Sequence, residues 1–201
     1  RYGTTMDDAV GEAFDKCAKA MGLGFPGGPA IETAAKTGNS KAIDLPRPLY
    51  GTPGCHVSFS GLKTALANKL HKLGGPNAAP VADLAAGLQA AIADCLADRT
   101  KQAMTSFRIE FPPADGQQPL LVIAGGVAAN RYIFGQLQDN ANAAGFQLSV
   151  PPAILCTDNA AMIAWAALER LEAPDMLDFV PRPRWPLDPN ASPPPGRGVR
   201  Q

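Results

Sequence analysis

The sequence lacks the residue patterns that mark several common classes of protein. Its two histidines, His56 and His71, are not at helical ligand spacing, so the chain carries no obvious metal pair of its own. The four cysteines form no C-x-x-C pair, which argues against a zinc knuckle and favours reduced thiols. No apolar run approaches the ~20 residues of a membrane span, and no signal peptide is visible. We therefore expect a cytoplasmic protein with no membrane partner.

An excess of charge of either sign is also missing, since 18 Lys and Arg face 18 Asp and Glu. Zero net charge excludes a bulk polyanion-binding tail but allows a local basic patch. The 201 residues, 46% of them hydrophobic, suit one sizeable core or two small lobes. Because the chain starts at Arg1 just before a clear helix pattern, we expect it to be N-terminally truncated.

A short apolar run over residues 120–124 is the centre of what the sequence does contain. It predicts a strand buried on both faces, followed by Gly125, Gly126 and a helix over 129–144. Such a turn can bind an anion or nucleotide, because free backbone N–H groups and the helix dipole point at it. The alternative is a tight turn without a ligand, since this is neither the GxGxxG fingerprint nor the P-loop.

A second glycine turn, over residues 22–29, follows a predicted amphipathic helix over 6–21. Asp15 lies near the end of that helix on a charged face, whose commoner role is to be solvated. Pro29 predicts the start of a helix over 30–36 that Gly38 ends. The two glycine turns can face each other across one ligand, although each alone is only a flexible connection.

Two further helices are predicted in the middle of the chain. Residues 57–64 alternate in polarity before a glycine, which predicts a strand running into a helix. Lys63 in this segment is a candidate phosphate contact or, by default, a surface lysine. A long helix is predicted over 83–107 with Asp83 as its cap.

The last part of the chain predicts a half-buried strand over 146–150 and then an apolar helix over 160–171. Because that helix is apolar almost all round, we expect it to be buried between layers. Asp158 at its start is either a plain N-cap or a carboxylate held at the rim of a cleft.

Five segments, in order within residues 6–171, together resemble the TsaD family, the tRNA adenosine threonylcarbamoyltransferases. They are DDAVGEAFDK at 7–16, FPGGP at 25–29, SFSGLKT at 58–64, GGVAANR at 125–131 and CTDNAAMIA at 156–164. One such motif is moderately specific, whereas five in order are very specific. The alanine-rich helices and the tail rich in proline and arginine resemble a bacterial member, of which this would be the C-terminal portion.

The resemblance implies an actin-like, sugar-kinase-like (ASKHA) α/β fold with two lobes around a nucleotide cleft. The first lobe is then largely missing, and residues 1–155 form the second lobe. Residues 156–180 form a C-terminal helix that would pack on the missing lobe, and 181–201 a disordered tail. The implied reaction moves threonylcarbamoyl from threonylcarbamoyl-adenylate to N6 of the adenosine next to the anticodon in tRNA, with TsaB and TsaE as partner proteins.

The resemblance also implies site residues, although it assigns no catalytic residue. The positions that match the family's nucleotide site are Asp15, Gly28, Glu32, Gly125, Gly126 and Asn130. Asp158 matches a ligand of the family's iron (Fe2+) or zinc (Zn2+) ion. The family's other metal ligands, histidines in an H-x-x-x-H helix, and its phosphate loop are absent from this sequence, so we expect the chain to be inactive alone.

Two other classes of protein are open at this point. One is a non-catalytic nucleotide-binding relative that acts as a partner subunit; Asp158 argues against it, because a metal ligand has no use in a scaffold. The other is a sugar or acetate kinase of the same superfamily. A kinase would need a catalytic carboxylate and phosphate hairpins, which the sequence does not show.

Overall fold

A computed structural model of the protein describes residues 1–114, 116–171, 180 and 190. Its helices and strands are α1 (Val10–Ala20), α2 (Gly27–Ala35), α3 (Ser60–Lys72), α4 (Val81–Glu110), β1 (Leu120–Val122), α5 (Arg131–Ala143), β2 (Gln147–Ser149) and α6 (Ala160–Glu169). The architecture is α/β, with a parallel pair of strands among helices. None of the helices described is both long and apolar enough to cross a membrane.

Helix α4 forms the centre of the core, because residues 84–93 are buried without a break. Helices α2 and α5 pack directly on it, and α1 packs on α2 and α3. Each large aliphatic side chain buried here contributes about 1.5–3 kcal/mol. The predicted cap is wrong: α4 begins at Val81, and the Asp83 carboxylate instead accepts a hydrogen bond of 2.7 Å from the Asn39 backbone N–H.

Helix α3 begins at Ser60, and the predicted strand before it is reduced to a single parallel bridge at Val57. Asp7 holds the start of the helix. Its carboxylate accepts hydrogen bonds from the backbone N–H groups of Phe59 (2.8 Å) and Ser60 (3.2 Å) and from the hydroxyls of Ser58 and Ser60. Burial alone would raise the pKa of Asp7, but these hydrogen bonds outweigh it and lower the pKa overall.

Strands β1 and β2 pair in parallel, with Leu121 opposite Leu148. The expectation that 120–124 is buried on both faces is wrong, since Leu120 is 54% and Val122 is 58% exposed. Only the Leu121 face is covered, by a small cluster that includes side chains of α4 and α5. Nothing in the described part of the chain covers the other face.

Helix α6 is not buried as predicted. No residue of α6 is buried, and Ile163 and Trp165 are 64% and 66% exposed. The reason is that residues 1–114 and 116–171 place no second layer over this helix. Of the predicted segment 156–180, residues 156–171 are described and contain α6, whereas residues 172–179 and nearly all of the predicted tail over 181–201 lie outside the described residues; this division of the chain stays a prediction.

Candidate nucleotide site

Both glycine turns line a single cavity of about 390 Å³. The cavity is lined by Gly11, Phe14, Asp15, Pro26, Gly28, Pro29, Glu32, Gly126, Val127, Ala129, Asn130 and Thr157. A mostly apolar wall with a few polar groups is typical of small-molecule sites, which measure roughly 300–1,000 Å³. The structure therefore brings together every predicted nucleotide position except Gly125, which directly precedes the lining residue Gly126. Nucleotide binding by them stays a prediction.

Asp15 ties α1 to the start of α2. Its Oδ1 accepts a hydrogen bond of 2.7 Å from the backbone N–H of Gly27. The two backbones are so close that a Cβ atom on Gly27 would lie 2.5 Å from the Asp15 Cα, so only glycine fits there. A Cβ on Gly28 would meet nothing within 4 Å, which leaves that backbone open to a ligand.

Helix α2 begins at Gly27, earlier than the predicted start of the helix over 30–36. Pro29 is therefore the third residue of the helix. The missing N–H of Pro29 costs no hydrogen bond within the helix, because the first four N–H groups of a helix have no partner there. The early start places both glycines of the turn in the first turn of α2.

Asn130 fixes the other glycine turn. It is buried, and its Oδ1 accepts a hydrogen bond of 3.0 Å from the Ile133 N–H, so it caps α5. Its Nδ2 donates to Gln89 Oε1 of α4 at 2.9 Å. Glu32 of α2 accepts a hydrogen bond of 2.9 Å from the Arg131 N–H. Hydrogen bonds to residues of α2, α4 and α5 therefore fix the position of this turn.

Gly125 adopts φ 84°, a left-handed conformation that favours glycine. The helix predicted over 129–144 starts later than expected. A short 3-10 turn, Gly126–Ala129, comes first, and α5 starts at Arg131. The buried stripe on α5 is otherwise as predicted.

Asp158 is exposed and lies in the loop before α6, next to Thr157 at the edge of the cavity. It is not the N-cap, because Asn159 Oδ1 accepts the hydrogen bond of 3.1 Å from the Met162 N–H. The described part of the chain holds no group of three or more His, Cys, Asp or Glu side chains able to hold a metal ion. These residues therefore do not form a metal centre by themselves, and Asp158 supplies at most one protein ligand.

The environments of other potentially reactive side chains favour a structural role for them. Burial raises the pKa of Cys17 and of Cys95 to about 11, so both thiols stay protonated near neutral pH. Lys63 Nζ forms an ion pair of 3.0 Å with Asp8, which also pairs with Lys16 at 3.1 Å. This pairing favours the structural interpretation of Lys63 over a phosphate contact.

Sequence reasoning missed two groups that shape the site. Gln89 is the only polar side chain in the buried run 84–93 of α4, a pattern that could have marked it as a hydrogen-bonding partner. The apolar wall residues Phe14 and Pro26 carry no comparable signal, because apolar side chains in such positions usually belong to the core.

An α/β protein with a cavity between two glycine turns belongs to a class that commonly binds nucleotides. Comparison with known proteins identifies the family: residues 1–165 match the family model described as TsaD: tRNA N6-adenosine threonylcarbamoyltransferase. The chain belongs to the TsaD family, which confirms the resemblance seen in the five sequence segments.

Curated relatives carry the same description. A tRNA N6-adenosine threonylcarbamoyltransferase of Rhodospirillum rubrum is 52% identical over 202 residues, covering 98% of this chain and 55% of the relative. Those of Rhizobium johnstonii and Brucella anthropi are also 52% identical and cover 95% and 100% of this chain. The chain spans about half the length of the curated relatives it matches.

Proposed function

We propose that the protein transfers the threonylcarbamoyl group of threonylcarbamoyl-adenylate to N6 of the adenosine next to the anticodon in tRNA. The observation that carries the proposal is the family match over residues 1–165, combined with a cavity lined by five of the matching positions. TsaB and TsaE are the partner proteins we propose.

The reaction does not require a covalent intermediate with the protein. The adenylate already carries a good leaving group, so no nucleophilic side chain is needed. The protein must position the attacking amine and stabilise charge on the acyl oxygens. Among the described residues, those that line the cavity include neither a thiol nor a lysine, which is compatible with this requirement.

The two carboxylates at the cavity have one oxygen each left for a ligand. Asp15 Oδ1 is engaged by Gly27 and Glu32 Oε1 by Arg131. Within the described part of the chain the second oxygen of each carboxylate makes no hydrogen bond. We assign these oxygens to hydroxyl groups of the adenylate ribose, with the open backbone at Gly28 beside the nucleotide.

An iron or zinc ion is the cofactor we propose, with Asp158 as one oxygen ligand. When bound, such an ion supplies Lewis-acid polarisation of an acyl oxygen. Catalytic metal sites use about three protein ligands. We therefore expect the 201-residue chain alone to lose iron or zinc on dialysis and to transfer no labelled threonylcarbamoyl to tRNA. Stoichiometric metal after dialysis would show that the ligands are misplaced.

The nucleotide assignment is tested with Glu32→Gln in the natural full-length protein. Glutamine keeps one oxygen for the Arg131 N–H but replaces the free carboxylate oxygen by an NH2 group, which cannot accept a hydrogen bond from a ligand hydroxyl. We expect adenosine nucleotide affinity to fall at least about tenfold, because a hydrogen bond to a charged group contributes about 1.5–3 kcal/mol. Asp44→Asn is the matched control, since the Asp44 side chain is 97% exposed and outside the cavity.

Transfer of labelled threonylcarbamoyl to tRNA, measured with the partner proteins, tests the activity itself. The wild-type protein should transfer the group, and Glu32→Gln should slow transfer at limiting adenylate. Nucleotide binding without any transfer would favour the non-catalytic partner subunit instead. Equal affinity of the wild-type and Glu32→Gln proteins for the nucleotide would remove Glu32 from the site.

A further inference from the structure

We propose that Phe25 and Lys19 bind the substrate RNA, Phe25 by stacking on a base of the anticodon loop and Lys19 by pairing with a phosphate. The inference rests on the proposed function and adds to it the place where the RNA enters. It starts from a second cavity, of about 290 Å³, lined by Asp15, Lys16, Lys19, Leu23, Gly24 and Phe25.

The exposure of Phe25 is the first observation. Phe25 is 86% exposed, and no other large apolar residue among those described is more exposed. Because most of this ring is in contact with water, the folded protein does not gain the free energy that burial of the ring would provide. An aromatic face presented in this way suits a planar partner, because every nucleic acid base has a π-face that can stack on it.

The position of Phe25 is the second observation. Pro26, the next residue, lines the nucleotide cavity, and Asp15 lines both cavities. The accepting adenosine must come within bonding distance of the acyl group in the nucleotide cavity. A neighbouring base of the same single-stranded loop then lies over the second cavity, which Phe25 lines.

The charge beside the ring is the third observation. Lys16 Nζ is neutralised by Glu12 at 2.6 Å and Asp8 at 3.1 Å. Lys19 is exposed and forms no ion pair with any residue in the described ranges. A cation without an ion-pair partner in the described ranges, beside an exposed aromatic ring, has the two features by which proteins bind single-stranded nucleic acid, positive charge for the backbone and an aromatic face for a base.

The stacking arm of the test uses the natural full-length protein and an anticodon stem-loop RNA with an unmodified adenosine next to the anticodon. We expect Phe25→Ala to weaken RNA binding at least about fivefold, the lower end of what one stacked base contributes. Phe25→Tyr keeps the ring and should bind RNA like the wild type. Tyr50→Ala, which removes an aromatic ring exposed elsewhere, should also leave RNA affinity unchanged.

The phosphate arm compares Lys19→Gln with Lys72→Gln over a series of salt concentrations. Removing one phosphate contact should lower the slope of log affinity against log salt by about 0.7–1, and we expect this for Lys19→Gln only. Lys72 is exposed at the end of α3 and lines neither cavity, so its variant should keep the wild-type slope.

Unchanged RNA affinity in Phe25→Ala would overturn the proposal. If Phe25→Ala instead lost binding to a partner protein while its RNA affinity stayed intact, the ring would be a protein contact and the proposal would also be overturned. Adenosine nucleotide affinity, measured in the same variants, should not change. Failure of the proposed function has a different signature, namely a wild-type protein that binds no adenosine nucleotide at all.

Discussion

Replacing Asp15 separates its structural role from its proposed ligand role. Asp15→Ala removes the acceptor of the Gly27 hydrogen bond at 2.7 Å and leaves the N–H of a buried residue without a partner. Asp15→Asn keeps one acceptor oxygen for that N–H but removes the negative charge from the cavity. The two variants should therefore differ in stability and agree in weakened ligand binding.

The expected size of the stability effect follows from the single hydrogen bond. A backbone donor paired with a carboxylate contributes about 1.5–3 kcal/mol, and a buried donor left unpaired costs about 1–3 kcal/mol. We expect Asp15→Ala to lower the free energy of unfolding by about 2–3 kcal/mol. A protein of this size loses about 2–4 °C in Tm for each kcal/mol, so the Tm should fall by roughly 4–12 °C.

Thermal and urea unfolding, with adenosine nucleotide titration beside them, check this prediction. Asp15→Asn should stay within about 1 kcal/mol of the wild type. Its nucleotide affinity should fall about tenfold, because an NH2 group that cannot accept a hydrogen bond replaces the carboxylate oxygen assigned to the ligand. Wild-type stability in Asp15→Ala would refute the structural reasoning, and wild-type affinity in both variants would refute the ligand assignment.

Three further predictions concern other contacts. Asp7→Ala should destabilise the protein by about 1–3 kcal/mol at pH 7. Because the pKa of Asp7 is lower in the folded state, its carboxylate stabilises the protein above the pKa of the unfolded state, and this stabilisation is lost as the pH falls through the folded-state pKa. Urea unfolding at several pH values should therefore show the difference in free energy of unfolding between wild type and variant shrinking in acid. Gly27→Ala should lower Tm sharply, because its Cβ would lie 2.5 Å from a backbone atom of α1, whereas Gly28→Ala should change nucleotide affinity more than Tm. Lys63→Ala should leave the salt dependence of tRNA binding unchanged, since Lys63 is paired with Asp8; a smaller salt slope would reinstate the phosphate contact.

Helix positions could be predicted because apolar spacing reflects a buried face. Ile133, Leu137 and Ala141 of α5 are buried as their spacing predicts. Burial of β1 and α6 was predicted wrongly for one reason. Local composition shows that Val122 and Trp165 are apolar, but burial depends on whether another element covers them. Spacing along one segment carries no information about that covering element.

The candidate site could be predicted as a set of residues but not as a set of contacts. The family pattern named Asp15 and Asn130, and both line the cavity. Their partners could not be read from the motifs. Gln89 is 41 positions from Asn130, and such a pairing depends on how the helices pack. Asp7 likewise lies in the segment 7–16, and nothing in that segment indicates that it caps a helix some 50 residues away.

The two hydrogen bonds of Asn130 determine what this side chain can offer to a ligand. A carboxamide has two N–H donors and two acceptor lone pairs. One donor is used by Gln89 and one lone pair by the Ile133 N–H, and these bonds also fix which end of the amide is oxygen. One donor and one acceptor are left. That pair matches a group that both gives and receives a hydrogen bond, such as a sugar hydroxyl, and discriminates against a group that can only accept.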